Sequence, residues 1–207
     1  MPRTHARRLL SVSALVLGGL ASCAAPHTTS ASLSATDWLE PSADLQRQID
    51  QKAIEVSTCQ DRYTWDGLSD WFQSVGEPAY GKLLEMVEFG DPRQRSTALC
   101  VIAAMQDRRL LQPMRAAMPA SALESESTRR EYARALAKLG DFSELPVLIE
   151  AMRDSNPEQF GLAHRALEEV TNTDIKVSAT STPEERERIV QAWMTWWTDH
   201  QADFLLR

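Results

Sequence analysis

From Asp37 onward, apolar residues recur with a helical period, few runs alternate as strands do, and glycine is sparse. The spacing predicts a first helix over about 43–58, with Leu45, Ile49, Ala53, Ile54 and Ser57 along one face. Residues 59–67 read as a polar and aromatic connection, and 68–74 as a short helix contributing Trp71 and Phe72. Gly76-Glu77-Pro78 reads as a helix start with proline in the first turn, leading into Tyr80, Leu83, Leu84 and Val87. Three later stretches carry stripes at i, i+3, i+4 and i+7: Ala98, Val101, Ile102, Met105; Tyr132, Ala135, Leu136, Leu139; and Ala163, Ala166, Leu167, Val170. A helix then ends in Thr171-Asn172-Thr173-Asp174, and a polar linker reaches Thr182-Pro183. The last helix opens on Glu184-Glu185, acids at its positive end, and its apolar face is Ile189, Ala192, Trp193, Trp196 and Trp197.

The stripes are not independent of one another. Placing 95–118 over 129–152 superimposes six identical residues in 24: Arg95/Arg129, Ala103/Ala137, Asp107/Asp141, Leu111/Leu145, Ala117/Ala151 and Met118/Met152. Three more positions pair aliphatic residues, Ile102 with Leu136, Met105 with Leu139 and Met114 with Leu148. The period is 34 residues, each copy holds two helices, and one such pair cannot bury its apolar face alone. The expected fold class is therefore all-α, a short α-solenoid of stacked antiparallel helix pairs closed by a Trp-rich C-terminal capping helix.

Asp91-Pro-Arg-Gln-Arg-Ser-Thr-Ala-Leu99 and Arg129-Arg-Glu-Tyr-Ala-Arg-Ala-Leu-Ala-Lys-Leu-Gly-Asp141 resemble the second helix of a HEAT repeat and the turn after it. Leu111-Gln-Pro-Met114 and Leu145-Pro-Val-Leu148 resemble the first helix, although Pro113 and Pro146 sit one residue out of register. The resemblance covers about 76–171, and armadillo-like or other α-solenoid pairs share the same pattern. Helical arrays of this kind typically bind other proteins, so the resemblance implies a binding surface.

The N-terminus follows a different logic. Residues 1–8 carry Arg3, Arg7 and Arg8 and no acid, and the uncharged run 9–21 follows directly. This is the pattern of an export signal, too short to span a bilayer comfortably. The run ends in Leu20-Ala21-Ser22-Cys23, which resembles the bacterial lipobox and implies cleavage before Cys23 and a lipid on its thiol. The alternatives are an uncleaved anchor helix, an ordinary signal peptide cut elsewhere, and twin-arginine export through Arg7-Arg8. Ala24, where an Asp would favour inner-membrane retention in lipoproteins of two-membrane bacteria, favours the outer membrane. The expected organisation is a signal peptide over 1–22, a lipidated cysteine and flexible tether over 23–36, and a helical domain over 37–207.

Charge and cysteines narrow the function classes. The chain carries 22 basic and 29 acidic residues, and loss of 1–22 removes three of the basic ones and none of the acids. So acidic a chain makes a poor partner for nucleic acid or anionic headgroups. Once Cys23 is lipidated, Cys59 and Cys100 remain, and in an oxidising compartment they form a candidate disulfide. Against the bridge, Cys100 sits among Leu99, Val101 and Ile102, as a buried free thiol would.

Little in the sequence points to catalysis. Of the mature histidines, His27 falls in the tether, His164 is expected to face solvent or a groove, and Asp199-His200 lacks a second histidine at i+4. Glu124-Ser125-Glu126 and Glu184-Glu185 read as solvated faces. No glycine-rich phosphate loop, HExxH, CxxC or Gly-x-Ser-x-Gly motif occurs, and no cofactor or metal is expected. Trp193, Trp196 and Trp197 read first as core and second as candidate partner-binding residues, with Trp197 the foremost for exposure; Trp65 and Trp71 raise the same question. The expected function is a membrane-anchored, non-catalytic scaffold or adaptor with a protein partner. The alternatives are an envelope enzyme, or enzyme subunit of hydrolase class, assembled only in three dimensions, and a purely structural envelope protein.

Overall fold

A computed structural model describes residues 38–176 and 182–205. The expected signal peptide, Cys23 and the tether with His27 all lie outside the described residues. Among the described residues the chain forms nine α-helices and no strand. They are α1 (Ala43–Thr58), α2 (Arg62–Val75), α3 (Tyr80–Phe89), α4 (Pro92–Met105), α5 (Leu111–Ala117), α6 (Glu126–Lys138), α7 (Leu145–Ala151), α8 (Pro157–Thr171) and α9 (Pro183–Leu205). Short 3-10 turns at Glu77–Ala79, Arg108–Leu110 and Ala120–Glu124 lead into α3 and α5 and precede α6.

Short polar side chains set the starts. Ser42, Asp61, Asp91, Ser125 and Asn156 each accept a hydrogen bond from a first-turn amide, replacing a partner that the helix itself cannot supply. At α4 the cap is reciprocal: Asp91 accepts from the Gln94 amide while the Gln94 side chain accepts from the Asp91 amide, and Pro92 opens the helix. Asp61 corrects one expectation. The stretch 59–67 is not a connection, because α2 begins at Arg62 and carries Gly67 within it. Glycine costs a helix about 1 kcal/mol, and the burial of Leu68 and Phe72 further along α2 offsets that cost.

The 34-residue period is written into the helix boundaries. α5 and α7 begin and end 34 residues apart, as do the starts of α4 and α6. Gln106 after α4 and Gly140 after α6 both have positive φ, 52° and 90°, which turns the chain out of each helix. Asp107 and Asp141 follow, each accepting a hydrogen bond from the amide two residues on, that of Arg109 at 3.0 Å and that of Ser143 at 3.1 Å.

Two apolar clusters meet at α6. The first gathers Ile49, Phe72, Leu83, Leu99, Ile102 and Leu110 with Ala135 and Leu136 of α6 and Leu139, which caps its C-terminal end. The second gathers Leu145, Leu148, Phe160, Leu167 and Trp193 with Ala133 and Ala137 of α6. α4 packs on α1, α2, α3 and α6; α6 packs on α7 and α8; α9 packs on α7. The three four-residue stripes lie in these clusters. Two other faces are shifted: Ile54 is 59% exposed and Ser57 is exposed while Val56 is buried, and Ala192 is exposed while Val190 is buried. The shift is partial: Ile49 and Ala53 of α1 and Trp193 and Trp197 of α9 are buried as expected, with Leu45, Ile189 and Trp196 packed beside them. No described helix is long and apolar enough to cross a membrane.

Asp107 ties neighbouring helices together at this turn. It accepts from Tyr80 Oη at 3.0 Å and from the guanidinium of Arg109, which also reaches Glu77 at 2.8 Å. The bonds from Arg109 hold its carboxyl down at about 2, while burial and the bond to Asp107 push Tyr80 up to about 12. A carboxyl depressed on folding stabilises the fold above its ordinary value and loses that contribution as pH falls through the folded value. Asp107→Ala should therefore cost about 1–3 kcal/mol in urea denaturation at neutral pH. The loss should shrink as pH falls below the ordinary carboxylate range, and a pH-independent loss would contradict this account.

Candidate functional site

The polar sides of α2, α4, α6 and α8 enclose an open groove with two lobes. One lobe, of about 930 Å³, runs from Cys59 and Arg93 past Ser121 to Thr128. The other, of about 730 Å³, runs from Cys100 and Arg134 to Leu148, Arg165 and Glu169. Arg62, Trp65, Ser96, Ser127, Glu131 and Leu162 line both lobes, so the groove is continuous. Its middle carries Leu162, a large apolar side chain left 47% exposed.

α6 shapes this surface. With Ala133, Ala135, Leu136, Ala137 and Leu139 committed to the two cores, the helical period leaves Ser127, Arg130, Glu131 and Arg134 on the remaining face. Ser96 donates to Glu131 Oε1 at 2.8 Å, and Trp65 Nε1 donates to Thr97 Oγ1 at 2.7 Å, which fixes the floor where α2, α4 and α6 meet. Burial pushes the Glu131 carboxyl above its ordinary range, against the Ser96 bond and the charges of Arg130 and Arg134. Glu169 behaves oppositely. Burial opposes its charge, yet bonds from Lys138 at 2.9 Å and Arg134 at 2.8 Å hold it below the usual range.

The groove holds few of the residues singled out from the sequence. Cys59 and Cys100 are free thiols lining different lobes, so the candidate bridge is not formed. The Cys59 thiol donates to the Val56 carbonyl. Burial pushes the Cys100 thiol up, against the pull of Arg134, away from the thiolate that nucleophilic chemistry requires. Cys23 falls outside the described residues. Trp65 lies in the groove, whereas Trp71 packs edge-on against Phe72.

The C-terminal aromatics form a stack within the second core. Trp193 is fully buried and Trp197 is 9% exposed, in keeping with the first reading of these residues as core and against the second, an exposed Trp197. Trp196 is partly buried, edge-on to Trp193 and stacked on His200, whose Nδ1 meets the Trp196 carbonyl at 2.7 Å. Burial leaves Trp193 and Trp197 little surface for a partner, and among the described residues the indole N–H of Trp193 has no hydrogen-bond partner. His164 faces neither solvent nor groove. It is 5% exposed, between the Phe160 and Trp193 rings, with Nε2 2.8 Å from the Ile175 carbonyl and Nδ1 3.4 Å from Glu168. It thereby pins the chain after α8 onto that helix. Among the described residues no group of three or more His, Cys, Asp or Glu is placed to hold a metal.

No protein-family model, curated protein or solved structure matches this chain. The groove is therefore read from its own chemistry.

The residues missed in the sequence are Arg62, Ser96, Arg130, Glu131, Arg134, Leu162 and Arg165. The one available signal was Arg130 and Arg134, four apart on the face opposite the Tyr132–Leu139 stripe. Glu131 offers a direct check of the geometry. A carboxyl raised on folding withdraws stability as pH rises from its ordinary value towards its folded one. Glu131→Gln keeps the acceptor for Ser96 and removes the buried charge. It should be at least as stable as the parent near neutral pH, with the difference vanishing at pH values below the ordinary Glu range. Clear destabilisation at neutral pH would show that the carboxylate is needed as such.

Proposed function

We propose that the chain is a non-catalytic scaffold or adaptor that binds a protein partner in the groove across α2, α4, α6 and α8, on HEAT-like stacked helix pairs closed by α9. The carrying observation is the groove itself, two lobes joined along one surface and lined by helices from four separate segments. Each lobe alone has the volume of a small-molecule cleft, about 300–1,000 Å³, but their continuity across four helices suits an extended polypeptide. The 34-residue correspondence between α4–α5 and α6–α7 supports the HEAT-like reading, as do the paired turns at Gln106-Asp107 and Gly140-Asp141.

The test is site-specific photocrosslinking in the native host. A photoreactive residue at Leu162 or Ser127 should give one reproducible protein adduct, and the same residue at Ile54, exposed on α1 and away from the groove, should not. No adduct from the groove positions, or the same adducts from all three, would overturn the reading.

The membrane anchor is part of the same proposal. A basic N-terminus, an uncharged run and Leu20-Ala21-Ser22-Cys23 support a diacylglycerol on Cys23, facing the periplasm from the outer membrane where the host has two membranes. Cys23→Ala should abolish labelling by radioactive palmitate and release the protein from the membrane fraction. Unchanged labelling would place the lipid elsewhere.

A further inference from the structure

Several cationic side chains in the groove lack the partners that other arginines of this acidic chain possess. Arg109, Arg115 and Arg153 are each locked to carboxylates elsewhere on the surface. In the groove, Arg62 meets Asp66 only at 3.7 Å with its side chain 88% exposed, and Arg130 meets Asp154 only at 3.4 Å. Arg93 has the Cys59 sulfur at 3.9 Å, and among the described residues neither it nor Arg165 has a carboxylate within ion-pair distance. These four come from α2, α4, α6 and α8, so the positive charge runs the length of the groove.

The acids of the groove do not cancel that charge. Asp61 is occupied as the cap of α2. Glu168 faces His164, and Glu169 is held by Arg134 and Lys138. Glu131 is half-buried and accepts a hydrogen bond from Ser96. A guanidinium offers donors in a planar fork that matches a carboxylate, and a walled cleft strengthens the field of such charges. Between them lies the apolar surface of Leu162, 47% exposed.

Resting on the scaffold reading, we infer that the groove takes an acidic protein segment, its carboxylates on Arg62, Arg93, Arg130 and Arg165 and its apolar side chains on Leu162. Charge complementarity and the two-lobed length select this occupant over a free small anion, which would occupy one arginine cluster and leave the other lobe empty.

The probe is a fluorescent peptide of roughly 15 residues in which pairs of glutamate alternate with leucine, titrated against the full chain by fluorescence anisotropy. It should bind, more weakly as salt rises, and the matched glutamine–leucine peptide should not. Arg130→Glu with Arg165→Glu should weaken binding at least about tenfold, whereas Arg188→Glu, an exposed position on α9, should leave it within about twofold. Far-UV circular dichroism checks the helices of each variant, and Arg62→Glu with Arg165→Glu carries the test if the first pair does not fold. Equal binding of the glutamine peptide, indifference to the groove reversals, or displacement by inorganic phosphate at concentrations equivalent to the peptide would overturn the inference. Groove crosslinks in cells without binding of the glutamate peptide would overturn it and leave the scaffold reading standing. Binding of the peptide without groove crosslinks would support the groove chemistry and overturn the scaffold reading.

Discussion

The helices of this chain bury their apolar faces in two clusters, and α6 is where the two meet. Its Ala135 and Leu136, with Leu139 at its C-terminal cap, belong to the core built by α1–α5, and its Ala133 and Ala137 to the core built by α7–α9. A helix has only 3.6 residues per turn to distribute. Serving two cores takes most of the circumference and leaves one narrow strip for solvent. The small size of Ala133, Ala135 and Ala137 is part of the arrangement, since close approach on both sides is possible only where side chains are short. The polar strip that remains is Ser127, Arg130, Glu131 and Arg134, and the groove is built along it.

The same geometry sets the electrostatics. Arg134 and Lys138 follow the strip towards its C-terminal end and meet Glu169 of α8, so the α6–α8 junction is held by charge as well as by packing. Arg130, one turn earlier, meets Asp154 at 3.4 Å, and among the described residues Arg165 across the groove has no carboxylate within ion-pair distance. Ion pairs at an exposed surface contribute little stability, so the chain loses little by leaving these arginines unmatched. The arrangement is explicable on other grounds. Positive charge concentrated in a cleft raises the local concentration of anionic groups, which an acidic surface elsewhere repels.

Much of the fold was legible in the sequence because helices announce themselves twice, by caps and by stripes. Asp91-Pro92 and Asn156-Pro157 mark starts without ambiguity, and the stripes through Ile102, Leu136 and Leu167 are the ones that pack. The start of α2 was missed because Gly67 reads as a breaker, and only the cap at Asp61 and the packing of Leu68 and Phe72 outweigh it. His164 was misplaced for a related reason. Its position on α8, beside Ala163, is on the buried side, and its solvent is replaced by the Ile175 carbonyl from beyond the helix end. The groove was almost invisible. It is made from the polar faces of helices from four separate segments, where hydrophobic periodicity carries no information, and only the Arg130–Arg134 spacing hinted at it.

On the proposed binding role, the groove has the advantage that its walls are fixed by the cores beneath them. Trp65 is fixed by Thr97, Ser96 by Glu131, and Arg134 by Glu169, so a ligand meets side chains that have lost their freedom during folding. Association costs several kcal/mol in ordering, and side chains immobilised beforehand reduce that cost. The arginines with loose partners are the exceptions. Arg62, 88% exposed and 3.7 Å from Asp66, stands on that frame without a tight ion pair. The buried Trp193 and Trp197 belong to that frame and not to the recognition surface. They close the second core against α9, and the position of α8, and hence of Arg165, depends on that closure.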